Sequence, residues 1–205
     1  MKVAIIKYNA GNVYSVYCAC RRLGCEAEIT DDPEYIRTAD RVIFPGVGEA
    51  RAAMEYLNET GLAALIRSLK QPVLGICIGM QLLCQHSEEG DVDCLGIFDV
   101  PVERFRPEDP SLKVPQMGWN TIEHFNEPHN LTTSRPHDLF SEVSEGDFVY
   151  YVHSYRVPLC SYTIAQTDYA GAYSAALHKD NFWATQFHPE KSGSVGEQIL
   201  RNFLL

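Results

Sequence analysis

Along the first ninety positions the spacing of apolar residues alternates between two patterns. Unbroken apolar runs occur in "KVAIIK" (Lys2 to Lys7), "RVIFPG" (Arg41 to Gly46) and "PVLGI" (Pro72 to Ile76), as expected of strands buried on both faces. Between them, Val13, Val16, Tyr17, Cys20 and Leu23 recur at helical spacing, and Gly24 stands where a left-handed C-terminal cap belongs. "CEAEIT" predicts a further strand, and helical sequence is expected around Ala50 to Leu57 and Leu62 to Leu69. Strands alternating with helices predict βαβ units, a parallel sheet with helices on both faces.

The second half reads differently. "GIFDVPVERF", "WNTIEHF", "DFVYYVHSY", "YTIAQTDY", "AYSAALHK" and "FWATQF" are short β-rich runs between Pro, Gly, Asn and Asp turns, which predicts antiparallel strands added to the same sheet. A last helix carries Val195, Ile199, Phe203 and Leu204 on one face. "NEPHNLTTSRPHDLFSEVSEGD" is the expected flexible insertion. With no repeat or linker, the 205 residues are expected to form one α/β domain over positions 1–205. Its core would be a central mixed, mostly parallel sheet flanked by helices, with antiparallel additions in the second half.

Composition narrows the function. A formal net charge of −10 and the lack of a basic stripe argue against nucleic acid as a partner. No apolar run approaches a membrane span, and the start of the chain is too short in apolar residues for a signal peptide, so a cytoplasmic protein without membrane association is expected. Seven cysteines at irregular spacing read as reduced thiols, and "CACRRLGC" lacks the paired CxxC of a metal site, so neither metal nor cofactor is expected.

One cysteine differs from the rest. In "VLGICIGMQLL" (Val73 to Leu83), Cys77 lies where a strand turns into a helix, with Gly75 and Gly79 two residues to either side. A sharp turn brings those flanking positions together and leaves no room for side chains there. It lifts the apex residue clear of the sheet's C-terminal edge, at the start of a helix that favours thiolate. A core cysteine in an ordinary connection is the competing reading.

A nucleophilic thiol needs a base and a group that orients it. Most histidines fall in polar loops, but "ATQFHPEKSG" ends an apolar strand at His188, and Pro189 biases His188 toward extended geometry. Residues i and i+2 of an extended segment share a face, so Glu190 could hold one ring nitrogen while the other confronts the thiol. Cys77, His188 and Glu190 are thus nucleophile, base and orienter, with a solvated His–Pro turn as the alternative. Acyl transfer also needs oxyanion donors. The N–H of Ile78 is one, and "FPGVGEA" offers others around Gly46, Val47 and Gly48, where glycine permits close approach of the backbone. That loop lacks the GK[ST] ending of a phosphate-binding P-loop.

"PGVGEA", "GICIGMQLL" and "FHPEKSG", in this order and spacing, resemble the class I glutamine amidotransferases. The resemblance covers essentially the whole chain. It implies a flavodoxin-like fold and hydrolysis of glutamine to glutamate and ammonia by a Cys-His-Glu triad. Within that family "YNAGNVYSV", "PQMGWN" and "YYVHSYR" are similar to glutaminase subunits of histidine biosynthesis. Those subunits pass ammonia to a separate (βα)8-barrel cyclase that makes imidazole glycerol phosphate. The resemblance implies a heterodimer with such a cyclase, glutamine bound by Gln81, His153 and Ser154, and a partner interface at Asn12, Trp119 and Lys191. Two positions depart from the pattern, Lys7 where the family has Asp and Gln116 where it has His, and neither belongs to the triad. Glutaminases serving pyridoxal phosphate or anthranilate synthesis, and a catalytically silent assembly subunit, remain as other readings.

Overall fold

The computed structural model describes residues 1–8, 13–46, 48–124 and 139–205. In its first half β1 (Lys2–Ile6), α1 (Val13–Arg22), β2 (Glu26–Thr30), α2 (Pro33–Thr38) and β3 (Arg41–Phe44) are followed by α3 (Ala50–Glu59), α4 (Leu62–Ser68), β4 (Val73–Ile76) and α5 (Ile78–Leu83). This is the expected alternation, with one helix more than the periodicity predicts. Six residues are too few to show a stripe, but α2 carries local start signals: Asp32 accepts the Glu34 N–H at 2.9 Å and Pro33 occupies the first turn.

The second half holds β5 (His86–Ser87), β6 (Val92–Asp93), β7 (Pro101–Arg104), β8 (Gln116–Thr121), β9 (Glu123–His124), β10 (Phe148–His153), β11 (Tyr155–Arg156), β12 (Thr163–Asp168), β13 (Ala172–Lys179) and β14 (Phe182–Thr185). A 3-10 turn at Pro189–Lys191 and α6 (Gly193–Leu204) complete it. The main sheet runs β2-β1-β3-β4-β14-β13-β12-β9. Its first five strands are parallel, and β13, β12 and β9 add in antiparallel fashion.

The expectation that all the later strands join this sheet holds only in part. β8 and β10 pair as a separate antiparallel ribbon, and β11, β7, β5 and β6 form another small sheet. The ribbon's pleat gives the reason. Val149, Tyr151 and His153 of β10 alternate inward and are buried, whereas Phe148, Met117 and Trp119 are exposed. Val149 and Tyr151 share a core cluster with Ile76, Cys77 and Phe187, so the ribbon packs across the sheet rather than extending it.

Consecutive residues of the central strands feed two cores. Ile6 and Phe44 pack toward α3, α4 and α5, while Ile5 and Ile43 pack toward α1 and α6 with Ile199 and Phe203. No helix among the described residues is long and apolar enough to cross a membrane. Of the segment 126–147 expected to be a flexible insertion, positions 126–138 lie outside the described residues.

The topology matters most at one place. β14 enters beside β4 with Thr185 opposite Ile76, and the Cys77 N–H donates to the Thr185 carbonyl at 2.8 Å. The residues just past these two C-terminal strand ends, Cys77 and His188, are thereby brought together.

Candidate active site

Cys77 sits between β4 and α5 with φ 55° and ψ −109°, a conformation that costs a residue with a Cβ on the order of 1–3 kcal/mol. The flanking glycines make the turn possible. A Cβ on Gly75 would lie 2.7 Å from Leu83 Cδ1 and 3.0 Å from the Gly79 carbonyl, the mutual approach that the motif suggests. Gly79 is required for a different reason: its Cβ would fall on the carbonyl oxygen of Phe44 in the adjacent β3.

His188 is extended (φ −97°, ψ 95°), as Pro189 dictates, but Glu190 already belongs to the 3-10 turn. The carboxylate therefore reaches back from a turn rather than sharing the face of an extended strand. Its Oε1 lies 2.8 Å from His188 Nδ1, and both side chains are only 2% exposed. Ser192 secures the arrangement: its hydroxyl donates to the His188 carbonyl at 2.6 Å and accepts the Tyr150 N–H at 2.9 Å.

Burial opposes an imidazolium here, but Cys77 and Glu190 beside the ring outweigh it, and the His188 pKa is raised to about 10. His188 thus carries a proton at neutral pH. Among the described residues its Nε2 has no hydrogen-bond partner, and Cys77 Sγ lies 3.9 Å from the Val152 carbonyl and 3.8 Å from Gln186 Nε2. Cys77 acts on His188 as a neighbouring polar group and charge rather than through a formed hydrogen bond.

The thiol opens into a cavity of about 250 Å³ whose lining includes Gly48, Ile78, Gln81, Glu89, His153 and Ser154. Six residues expected from sequence at this site, counting Cys77, thus meet around one space. Ile78 begins α5, so its N–H has no acceptor within the helix. Gly48 has φ 142°, a conformation suited to glycine. Gly46 is placed differently: a Cβ there would strike the Ile78 side chain and the Tyr8 hydroxyl, and that hydroxyl donates to the Pro45 carbonyl at 2.6 Å. Gly46 is a packing residue behind the cavity. Val47 lies outside the described residues, as does Asn12.

His153 is buried neutral. Burial, against the pull of the Tyr155 carbonyl and aided by the nearby charge of His188, lowers its pKa to about 4. Its Nδ1 donates to that carbonyl at 2.6 Å, so Nε2 accepts from the Tyr173 hydroxyl at 3.1 Å. The same hydroxyl is 2.7 Å from the side-chain amide of Gln116. Gln116 meets that hydroxyl through its side-chain oxygen, Oε1, as a buried polar partner. Lys7 lies far from such constraint, exposed and 3.7 Å from Asp31. Trp119 and Lys191 do not line the cavity; both are on the surface, Trp119 with its ring edge-on to Tyr150.

Three participants escaped the sequence reading. Glu89 is the one acidic side chain lining the cavity among the described residues; burial raises its pKa, opposed by the Ala50 N–H donated at 3.1 Å and reinforced by Glu49. Gln186 touches the thiol. Tyr8, its own pKa raised by burial and then by Cys77, braces the glycine loop. "SEEG", "TQF" and "KYN" carry no signal of these contacts, which arise between distant segments. Among the described residues, no group of three His, Cys, Asp or Glu side chains could hold a metal ion.

Comparison with known proteins bears on this geometry. Residues 4–205 match the family model described as glutamine amidotransferase class-I. The chain is 60% identical to the imidazole glycerol phosphate synthase subunit HisH of Bacteroides thetaiotaomicron, over 100% of this chain and 99% of that one. It is 46% identical to the subunit of the same name from Pectobacterium atrosepticum, with the same coverage. Among solved structures, a glutamine amidotransferase superposes with a TM-score of 0.72 at 18% identity, covering 98% of this chain and 96% of the other. Another glutamine amidotransferase, from Thermotoga maritima, gives 0.64 at 14% identity, covering 100% of this chain and 96% of the other. A cysteine on a strained strand-to-helix turn, a buried His-Glu pair beside it and a match over nearly the full chain lead to one conclusion: this chain belongs to the class I glutamine amidotransferase family.

Proposed function

We propose that the chain is the glutaminase subunit of an imidazole glycerol phosphate synthase, a cytoplasmic enzyme of histidine biosynthesis. The observation that carries the catalytic part is the buried His188–Glu190 pair, 2.8 Å apart, beside a thiol held at the mouth of the cavity. Cys77, as the thiolate paired with the His188 imidazolium, attacks through Sγ the side-chain amide carbon of glutamine. The C–N bond breaks, ammonia leaves with the proton from His188, and a γ-glutamyl thioester remains. Water then gives one proton back to His188 and attacks the thioester, and the second proton leaves to solvent as glutamate and the thiolate are released. Glu190 keeps the ring oriented through both steps. The oxyanion is met by the Ile78 N–H and by backbone N–H of the Val47–Gly48 region.

The other end of the substrate is an α-amino acid. Gln81 donates both N–H groups inward, to the Tyr155 carbonyl and to Gln186 Oε1, each at 3.0 Å. What it offers the cavity is an oxygen. That oxygen and the Glu89 carboxylate suit an ammonium group, while His153 and Ser154 shape the adjoining wall.

The ammonia goes to a (βα)8-barrel cyclase bound as a heterodimer. The HisH identity of full-length relatives supports this assignment. The exposed Met117, Trp119 and Phe148 on one side of the β8–β10 ribbon, with Lys191 nearby in sequence to the triad, form the docking surface, with Asn12 as a further contact. Binding controls hydrolysis by turning the peptide between Val47 and Gly48. The preceding half of that loop is held by Tyr8, so the movement belongs to Gly48 and not to Gly46.

The test is glutamate release by the chain alone, with the cyclase, and with cyclase plus its nucleotide. At least a roughly hundredfold rise is expected in the last case, the effect of restoring one oxyanion donor. Cys77→Ala should abolish glutamine hydrolysis in all three, while the complex still forms product from added ammonium. Equal rates without and with the partner overturn the control. Retained glutaminase activity in Cys77→Ala overturns the mechanism.

A further inference from the structure

Gln186 is fully buried between the last strand and the triad histidine, and its side chain bridges two groups. Its Oε1 accepts from Gln81, and its Nε2 lies 3.8 Å from Cys77 Sγ. The oxygen and nitrogen of an amide are interchangeable by shape and are told apart by their neighbours. Here the neighbours decide. Gln81 Nε2 is within 3.0 Å of the Tyr155 carbonyl, which can only accept, so Gln81 presents its NH2 group on that side and donates its second N–H to Gln186. Gln186 must therefore turn its oxygen toward Gln81 and its N–H toward the sulfur.

Besides the His188 ring, two polar groups among the described residues lie against the sulfur, and they favour opposite protonation states. The Val152 carbonyl, at 3.9 Å, can only accept, and so suits a thiol. The Gln186 N–H can only donate, and so suits a thiolate. We propose that Gln186, held in orientation by Gln81, is the donor that stabilises the Cys77 thiolate and thereby sets the nucleophile's ionisation. The proposal rests on the reading of Cys77 as nucleophile. It gives Gln81 a second part, since one side chain then both faces the substrate and fixes the amide that faces the sulfur.

The test uses the full-length chain and the rate of Cys77 alkylation by iodoacetamide as a function of pH, followed on the Cys77 peptide by mass spectrometry because six other cysteines are present. In Gln186→Met, which keeps the volume and loses the donor, the midpoint of the profile should move up by about one pH unit, with alkylation below the midpoint about tenfold slower. Gln186→Asn keeps an amide but withdraws it by one methylene, and should shift the profile in the same direction; it carries the test if the methionine variant does not fold. Gln81→Met should shift it less, and the double variant Gln81→Met with Gln186→Met no further than Gln186→Met alone, because Gln81 acts through Gln186. A purely structural role would change melting temperature and leave the profile in place. Superimposed profiles for the parent and either Gln186 variant, or additive shifts in the double variant, overturn the proposal. Those results leave the nucleophile intact, whereas glutaminase activity in Cys77→Ala removes the nucleophile itself.

Discussion

His188 and Glu190 are joined across Pro189 by a 2.8 Å contact between Nδ1 and Oε1, with both side chains only 2% exposed. The link ties protonation to folding. The folded chain holds the His188 proton with a pKa of about 10, against an ordinary value of about 6.5 in the unfolded chain. A raised pKa contributes stability that is complete below about 6.5 and is lost as pH rises through about 10. Glu190→Gln weakens that hold. Melting curves should show the variant well below the parent at pH 6.5, with the gap narrowing toward pH 10; a gap that widens with pH contradicts the sign.

Gly79→Ala should destabilise strongly. The added methyl meets the Phe44 carbonyl oxygen in the next strand, an atom that no rotamer change can move aside. The cost should reach the upper end of overpacking effects, about 3 kcal/mol. Denaturant unfolding measures it, and Gly24→Ala provides a contrast, since a Cβ there meets nothing within 4 Å and only the positive φ resists it.

Glu89→Gln should raise the KM for glutamine about 10- to 100-fold and change kcat little. It removes a charge-assisted bond to a group that does not react. Steady-state glutamate release in the presence of the partner separates the two constants. A fall in kcat with an unchanged KM would assign Glu89 to the reacting end instead.

Trp119→Ala should weaken binding of the cyclase. The ring is 55% exposed on the outer side of the ribbon, where loss of a central aromatic typically costs about 2 kcal/mol, ~30-fold in Kd. Its exposure also means that the melting temperature of the free chain should hardly move. Calorimetric titration with the cyclase reads the first effect and a thermal melt the second.

How far these features were legible depends on the range of the interactions behind them. The Gly75-Cys77-Gly79 turn is local, so its residues announce it. His188 and Glu190 are local to each other as well, although the detail differed: a 3-10 turn, rather than an extended pair, brings them together. The meeting of His188 with Cys77 depends on β14 entering the sheet beside β4, a pairing that no short pattern encodes. Glu89 and Gln186 are illegible for the same reason. A lone acid in a polar loop and a glutamine ending an apolar strand acquire meaning only when Cys77 is placed beside them. The separate β8–β10 ribbon was missed because period-two alternation says which face is buried, not which sheet buries it. At Gly46 the close approach that the motif does not announce is that of Tyr8 and Ile78, which a Cβ there would strike.

The backbone angles at Cys77, φ 55° and ψ −109°, suit the first central residue of a tight turn, where glycine rests without strain. Stability and reactivity therefore pull this position in opposite directions. Random substitution screened only for heat resistance would drift toward Cys77→Gly, gaining a better-folded chain with nothing left to attack an amide. Such a screen would report improvement at the moment activity vanished. The position proposed as the nucleophile is thus strained in its backbone, and engineering for robustness has to leave that strain in place.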